Sequence, residues 1–340
     1  MKILVTGGAG FIGTNVVKHF SPKCDKIVVL DDLSRKGTEK NIRYQRENIA
    51  NLEFVKGSVT NWETVRNIFK KDSFDIVFHL AAQVAVTTSV TDPRSDFEIN
   101  ALGSFNVLEG VRLTGQKPIM LYSSTNKVYG GMEEVVVEKK DDQHYGYRDF
   151  PHGIAENFPL DFHSPYGCSK GTGDQYFIDY ARIYDFKTVV LRQSCIYGDH
   201  QFGNEDQGWV AHFLISAVKG SPLTIFGDGL QVRDILYVKD LVRCYDMAIS
   251  NIDKVKGKAF NVGGGADNTL SLLEFIDILK EMTGEPKTVS FDDWRPGDQK
   301  VYISDIREVQ KVLNWAPEFT PRAGIEELYK WIKDHKDDIL

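Results

Sequence analysis

The chain has 340 residues, 42% hydrophobic and 26% charged, with a formal net charge of −7. That length buries a large core without disulfides or metals, and at about 100–200 residues per domain two lobes are the natural division. The acidic balance argues against nucleic acid or an anionic membrane as the main partner, yet a local cluster of Arg or Lys could still hold a small anion.

The first apolar run, residues 3–6, reads as a strand entered directly from Met1-Lys2, with no basic leader and apolar stretch of signal-peptide type. No run of about 18 apolar residues follows anywhere, so no membrane span is expected. The four cysteines, Cys24, Cys168, Cys195 and Cys244, form no C-x-x-C pair and no zinc spacing with His. They read as reduced thiols, which with the missing leader places the protein in the cytoplasm; no metal site is expected.

Strand 3–6 runs into Gly7-Gly8-Ala9-Gly10-Phe11-Ile12-Gly13, which opens a helical pattern over 11–20. A glycine triplet alone is weak, but between a strand and a helix it fits a pyrophosphate site. Gly7 allows the tight turn, Gly10 the approach of phosphates and Gly13 close helix packing, with free N–H groups at the helix start facing the anion. The next strand, 26–30, ends in Asp31-Asp32, roughly 20 residues past the turn, where a carboxylate can bind ribose hydroxyls. Asp31 is the preferred residue. It would repel the extra phosphate of NADP, so NAD is the expected cofactor, although Arg35 and Lys36 stand near and favour an added phosphate.

Further strands are read at 52–56, 75–80, 118–122, 188–192 and 259–262, with helices at 62–70, 97–113 and 165–184. The strands are near-continuously apolar, as strands covered on both faces are. Alternation with helices predicts an α/β fold with a doubly wound parallel sheet. After residue 192 the pattern loosens into aromatic and Gly-containing loops (201–209, 226–231) and scattered helices (271–282, 322–337). The expected organisation is a nucleotide-binding domain over 1–192 plus about 230–262, and a smaller C-terminal lobe over 193–229 and 263–340.

Two further segments carry chemistry. Tyr166-Gly167-Cys168-Ser169-Lys170 sets Tyr and Lys at i and i+4, on one helix face, behind a Ser164-Pro165 helix start. An ammonium beside a phenol lowers the phenol pKa, and a phenolate can take a hydroxyl proton as hydride leaves the same carbon. Alone, Y-x-x-x-K is unspecific; beside the glycine turn it gains weight. The run 121–130, Leu-Tyr-Ser-Ser-Thr-Asn-Lys-Val-Tyr-Gly, follows a strand, and parallel sheets place ligands at strand carboxyl ends.

Gly7-x-x-Gly10-x-x-Gly13, Asp31, Leu80-Ala81-Ala82, Ser123-Ser124-Thr125, Tyr166-x-x-x-Lys170 and Tyr197-Gly198 together resemble the extended short-chain dehydrogenase/reductase family, over essentially the whole chain. The resemblance implies a Rossmann sheet with a substrate-binding C-terminal lobe and Thr125, Tyr166 and Lys170 as the catalytic group. It implies cofactor contacts from Gly7, Gly10, Phe11, Ile12 and Gly13, then Asp31, Asp32, Ser34 and Arg35. Ser58, Val59, Leu80, Ala81, Ala82, Gln83, Asn100, Tyr166 and Lys170 complete that set. One departure is Gly57-Ser58-Val59, where relatives carry an Asp that touches adenine; Ser58 keeps only a hydroxyl.

A finer resemblance, in segments 123–130, 161–171, 192–198 and 201–209, is to members that invert C2 of CDP-linked hexoses. Cys195 stands where 4-epimerases commonly carry Asn. Arg233 resembles the family's phosphate-binding arginine, and Arg295 with Asp298 its second clamp near the nucleotide. Thr125, Asn126, Lys127, Cys195, Gln207 and Trp209 are the remaining substrate candidates; Trp209 could stack on a base or simply pack. A sugar 4,6-dehydratase also needs an acid and a base beyond Tyr, which relatives supply as Asp-Glu after the Thr. Here Asn126 and Lys127 occupy those positions, and Asn cannot shuttle a proton near neutral pH, so redox epimerisation is expected instead. The alternatives are 4-epimerisation of a UDP-hexose and a non-catalytic NAD-binding regulator. The family also implies a homodimer through 97–113 and 165–184.

Overall fold

The computed structural model describes every residue except 205–206, 285–287, 295–298 and 340. Its centre is a seven-stranded parallel sheet of β1 (Lys2–Thr6), β2 (Lys26–Asp31), β3 (Leu52–Lys56), β4 (Ile76–His79), β5 (Ile119–Thr125), β6 (Lys187–Gln193) and β7 (Lys258–Val262), in the order β7-β6-β5-β4-β1-β2-β3. This is the doubly wound arrangement, with the order reversing at β1 and β4, so the turn after β1 opens into the crevice where ligands bind. β1, β2 and β4 are almost wholly buried because helices cover both faces. On one face, α1 (Phe11–Phe20) contributes Val16, Val17 and Phe20 to a core with Ile3, Val5, Ile27 and Leu121. On the other, α3 (Trp62–Lys71), α4 (Gly103–Thr114) and α5 (Ser164–Tyr184) bring Phe69, Val107 and Phe177 against Leu4, Val28 and Val77.

The helix read at 97–113 is interrupted. Pro93–Phe97 is α-helical, Glu98–Leu102 is a π turn, and α4 resumes at Gly103. Apolar periodicity does not reveal this, because the widened turn is held by polar side chains, chiefly Asn100. α2 (Thr38–Asn48) also escapes a reading by apolar period. Its buried face is Thr38, Asn41, Ile42 and Gln45, three polar residues to one apolar. Those amides do structural work: Gln45 Nε2 donates to Gly8 O at 2.8 Å and Asn41 Nδ2 to Ala9 O at 3.0 Å.

The rest of the chain builds a second core. α6 (Trp209–Lys219), α8 (Leu272–Thr283) and α9 (Pro321–Asp334) pack Leu214, Phe275, Leu279, Ile325 and Leu328 together. α7 (Val238–Ser250) instead lies on the main sheet, through Leu241, Cys244 and Tyr245. So do Ile306, Val309, Leu313 and Trp315, inside a stretch the sequence pattern groups with the second lobe. The indole of Trp315 donates to Asp240 O at 3.1 Å, tying that stretch to α7.

Candidate active site

The turn after β1 is fixed by steric need. Gly7 has φ +67°, and a Cβ there would lie 2.6 Å from Ala81 N. A Cβ on Gly13 would lie 2.4 Å from the Gly7 carbonyl, so α1 can start this close to the turn only as glycine. At Gly10 an added Cβ would meet only that carbonyl, at 3.1 Å, leaving its other side open. Asp31, at the carboxyl end of β2 and 9% exposed, is held by two backbone donors, Ala9 N at 3.0 Å and Leu33 N at 2.9 Å. Burial nonetheless pushes its carboxyl above the usual range.

From this turn a cleft of about 470 Å³ runs past β4 and β5 toward the second core. Its walls include Gly7, Gly10, Phe11, Ile12, Gly13, Asp31, Asp32, Ser34, Arg35, Ser58, Val59, Leu80, Ala81 and Ala82. They also include Thr125, Asn126, Lys127, Tyr166, Lys170, Cys195, Gln207 and Trp209. The residues expected at a cofactor and those expected at a substrate are thus brought into one space. Gln83 and Asn100 are not on its wall. They bond each other, Gln83 N to Asn100 Oδ1 at 2.9 Å and Asn100 Nδ2 to Gln83 O at 3.0 Å, and brace the wall from behind. Arg233 is not on it either: its Nη1 donates to Val232 O at 2.8 Å, although its charge lowers the pKa of the Cys195 thiol, which burial raises overall. Arg295 and Asp298 lie outside the described residues.

α5 carries the Tyr–Lys pair. It begins one residue earlier than the sequence indicates: His163 precedes it without a side-chain cap, Ser164 is its first residue and Pro165 its second, and the Ser164 hydroxyl accepts from Gly167 N at 3.3 Å. Lys170 is 3% exposed; its ammonium donates to Ser123 O at 2.5 Å and stands 4.4 Å from the centre of the Tyr122 ring. The electrostatics differ from the expectation that Lys170 depresses the Tyr166 phenol. Burial raises the Tyr166 phenol; a hydrogen bond with Thr125 and the charge of Arg35 oppose that rise, and Asp96 adds to it. Burial likewise pulls Lys170 down to about 7, against the charges of Asp174 and Asp96. The physical reason is desolvation: both groups are deep enough that losing water outweighs the neighbours that favour their charged forms.

Arg35 is a component whose place the sequence pattern does not give. It leaves the loop after β2, meets Gln207 Oε1 across the cleft, and is near enough to Tyr166 to favour the phenolate. At the other end Lys127 Nζ donates to Gln299 Oε1 at 3.1 Å, and Gln299 is itself fixed by donating to Gly130 O at 2.8 Å. Trp209 packs edge-on against Phe275, ring centres 5.2 Å apart, and hydrogen-bonds Cys195. His79, which faces the same region, is a framework residue. It is wholly buried, bonded to Thr6 and Ser104, and held neutral with its pKa near 3.

A glycine turn with an open side, a buried acid at the next strand end and a Tyr–Lys–Thr group in the same cleft fit a dinucleotide and a hydroxylated substrate side by side. That is the layout of a Rossmann-type redox enzyme. The chain belongs to the NAD-dependent epimerase/dehydratase family, which it matches over residues 3–263, and its cofactor is NAD. It is 42% identical to CDP-paratose 2-epimerase of Salmonella typhi, over 97% of this chain and 99% of that protein. UDP-glucose 4-epimerase of Thermotoga maritima, solved with UDP-glucose, superposes with a TM-score of 0.85 at 32% identity, covering 99% of this chain and 100% of that one. UDP-glucose 4-epimerase of Thermus thermophilus, solved with NAD, gives 0.81 at 28%, covering 98% and 99%. The protein is accordingly an enzyme of the nucleotide-sugar epimerase type. Among the described residues, no group of three or more His, Cys, Asp or Glu is placed to hold a metal, and no helix is long and apolar enough to cross a membrane.

Proposed function

We propose that the enzyme inverts C2 of a CDP-linked hexose through a transient 2-keto sugar. The observation that carries the choice of chemistry is the cleft's acid content. Among the described residues its only carboxylates are Asp31 and Asp32, both at the cofactor end. Among the described residues of that wall no acid stands beside Thr125, where elimination of water would need a proton donor. Epimerisation needs none. The choice of C2 and of cytidine diphosphate rests on the 42% identity to CDP-paratose 2-epimerase, against 32% to a putative UDP-glucose 4-epimerase of Methanocaldococcus jannaschii.

In this reading bound NAD supplies the acceptor, and later the donor, of hydride. Tyr166 takes the proton of the C2 hydroxyl and returns it after the sugar has turned. Thr125 shares the hydrogen bond to the phenol. Lys170, anchored on Ser123 O, steadies the phenolate by its charge. The sugar nucleotide extends from there past Asn126, Lys127, Cys195, Gln207 and Trp209, into the lobe formed by 193–229 and 263–340 without the 306–315 stretch. Arg233, Arg295 and Asp298 serve its nucleotide end. A homodimer forms by the faces of α4 and α5, where Phe105, Leu113, Tyr176 and Ile183 are exposed apolar side chains on adjacent helices.

Incubation with CDP-glucose and UDP-glucose, followed by proton NMR of the sugar ring in deuterated water, tests the reading. Inversion at C2 of CDP-glucose with protium retained is the expected result. Inversion confined to C4, with UDP-glucose preferred, would replace it with the 4-epimerase reading, which the fold similarity to the Thermotoga enzyme favours.

A further inference from the structure

Beneath the Tyr–Lys pair lies a carboxylate that the mechanism above does not use. Asp96 is 0% exposed. Its Oδ2 accepts from Ser169 Oγ at 2.5 Å, and its Oδ1 from Asn100 Nδ2 at 3.1 Å and Gln83 Nε2 at 3.2 Å. Ser169 lies between Tyr166 and Lys170 on α5, and its hydroxyl also accepts from Asn100 Nδ2 at 3.1 Å. Asn100 belongs to the π turn, an irregularity often found at functional sites. All three donors to Asp96 are neutral. A buried carboxylate held only by neutral donors is costly unless a cation stands nearby.

Burial pushes the Asp96 carboxyl up, and the cation whose charge opposes that rise is Lys170, buried like Asp96 and bonded to a neutral carbonyl. The charged and titratable groups around the pair can be taken element by element. On α5, Asp174 also faces Lys170, but Arg192 grips it through two bonds of 3.0 Å, so most of its charge is already matched. On β4, His79 is neutral. On β5, Tyr122 offers its ring face to Lys170 and keeps its proton. Past β2, Arg35 acts on Tyr166 from the cleft side. Asp96 is the second carboxylate acting on Lys170, after Asp174, and among the described residues its side chain is bonded only by neutral donors.

We propose that Asp96 is a positioning residue for the acid–base pair: its charge keeps Lys170 an ammonium in a site that desolvates it, while its bond to Ser169 fixes the turn of α5 between Tyr166 and Lys170. The proposal rests on the assignment of Tyr166 and Lys170 made above. The direction of each effect follows from the sign of the charge. Without the carboxylate, Lys170 gives up its proton at lower pH. The phenolate of Tyr166, no longer repelled, also forms at lower pH. Both limbs of the pH–rate profile therefore move the same way.

The experiment uses the NAD-loaded enzyme with CDP-glucose and follows turnover against pH for wild type, Asp96→Asn, Asp96→Ser and Ser169→Ala. Both limbs are expected to fall by about one pH unit in the two Asp96 variants, in keeping with the effect of a nearby charge. Ser169→Ala, which keeps the charge, is expected to hold its limbs in place whatever its rate. Ultraviolet titration of phenolate, with the Tyr166→Phe signal subtracted, should show the same downward shift for Tyr166 in Asp96→Asn. Unmoved limbs in both neutral variants would overturn the proposal. So would a failure of both to fold where Ser169→Ala folds, which would make Asp96 purely a framework residue. A Tyr166→Phe variant of near-normal turnover would instead remove the acid–base assignment itself, an outcome separable from the first two.

Discussion

The two ends of the cleft are built in different ways. At the end proposed for the cofactor the wall is largely backbone, set by a glycine turn and by the strand ends, and buried amides hold that backbone from behind. Gln45 reaches Gly8 O and Thr14 Oγ1, Asn41 reaches Ala9 O, and Asp31 accepts from Ala9 N. At the end proposed for the sugar, long side chains meet, Lys127 with Gln299 and Trp209 with Cys195, and Arg35 reaches from the cofactor side to Gln207. A wall of backbone serves one unchanging ligand, whereas a wall of side chains can change its specificity with few substitutions and no change of fold.

The sharpest test of this division is at the seam, where Tyr166 stands. Tyr166→Phe keeps the ring and removes only the atom proposed to transfer the proton. Turnover should fall by about a thousandfold, within the span general acid–base groups command. Bound NAD should be retained, because the glycine turn does not depend on the phenol. Single-turnover kinetics with NAD content measured on the same sample separates the two quantities. Loss of both together would mean that the ends are not independently built.

A smaller but still large effect is expected behind the cofactor wall. Gln45→Leu is close in volume but leaves the Gly8 carbonyl and the Thr14 hydroxyl without their buried donor. The expected cost is about 2 kcal/mol, read as a shift of the urea midpoint at constant slope. NAD affinity should fall with it, since Gly8 belongs to the turn. A stability loss with unaltered NAD affinity would show that α2 supports the fold but not the site.

The contrast between the ends also explains what the sequence discloses. Gly7 and Gly13 are legible because the turn has no room for a side chain at either, Gly10 and Asp31 by their spacing from them, and the Tyr166–Lys170 pair because one helix sets its geometry. The inner strands are legible because burial on both faces makes them near-continuously apolar. α2 is not, because its buried face is mostly amide and hydroxyl, which apolar periodicity discards. The π turn and Asp96 stay hidden for a related cause: an acid in the sequence reads as surface until its three donors, two of them more than ten residues away, are folded onto it. The direction of the Tyr166 shift is a property of depth, and depth is tertiary. Arg35 is legible as a charge near the cofactor, but its reach to Gln207 spans lobes joined only in space.

Trp209 gives the mildest test and bears directly on the sugar end. Its sequence context allows either a stacking platform for the base or a packing residue. In the fold it does the second: its ring edge meets Phe275 and Phe213, and its indole N–H serves Cys195. Trp209→Phe keeps an aromatic ring in that cluster and removes the N–H. Packing predicts a stability loss of about 0.5–1 kcal/mol, the worth of one modest hydrogen bond, with CDP affinity changed less than about twofold. Stacking predicts the reverse, since a base on an aromatic face is worth about 1–3 kcal/mol, which would show as a severalfold or larger weakening of CDP in titration calorimetry. If CDP weakens that far while uridine and cytidine nucleosides weaken alike, the base lies on this ring and the sugar end is organised by its aromatic floor instead of by the side chains that span it.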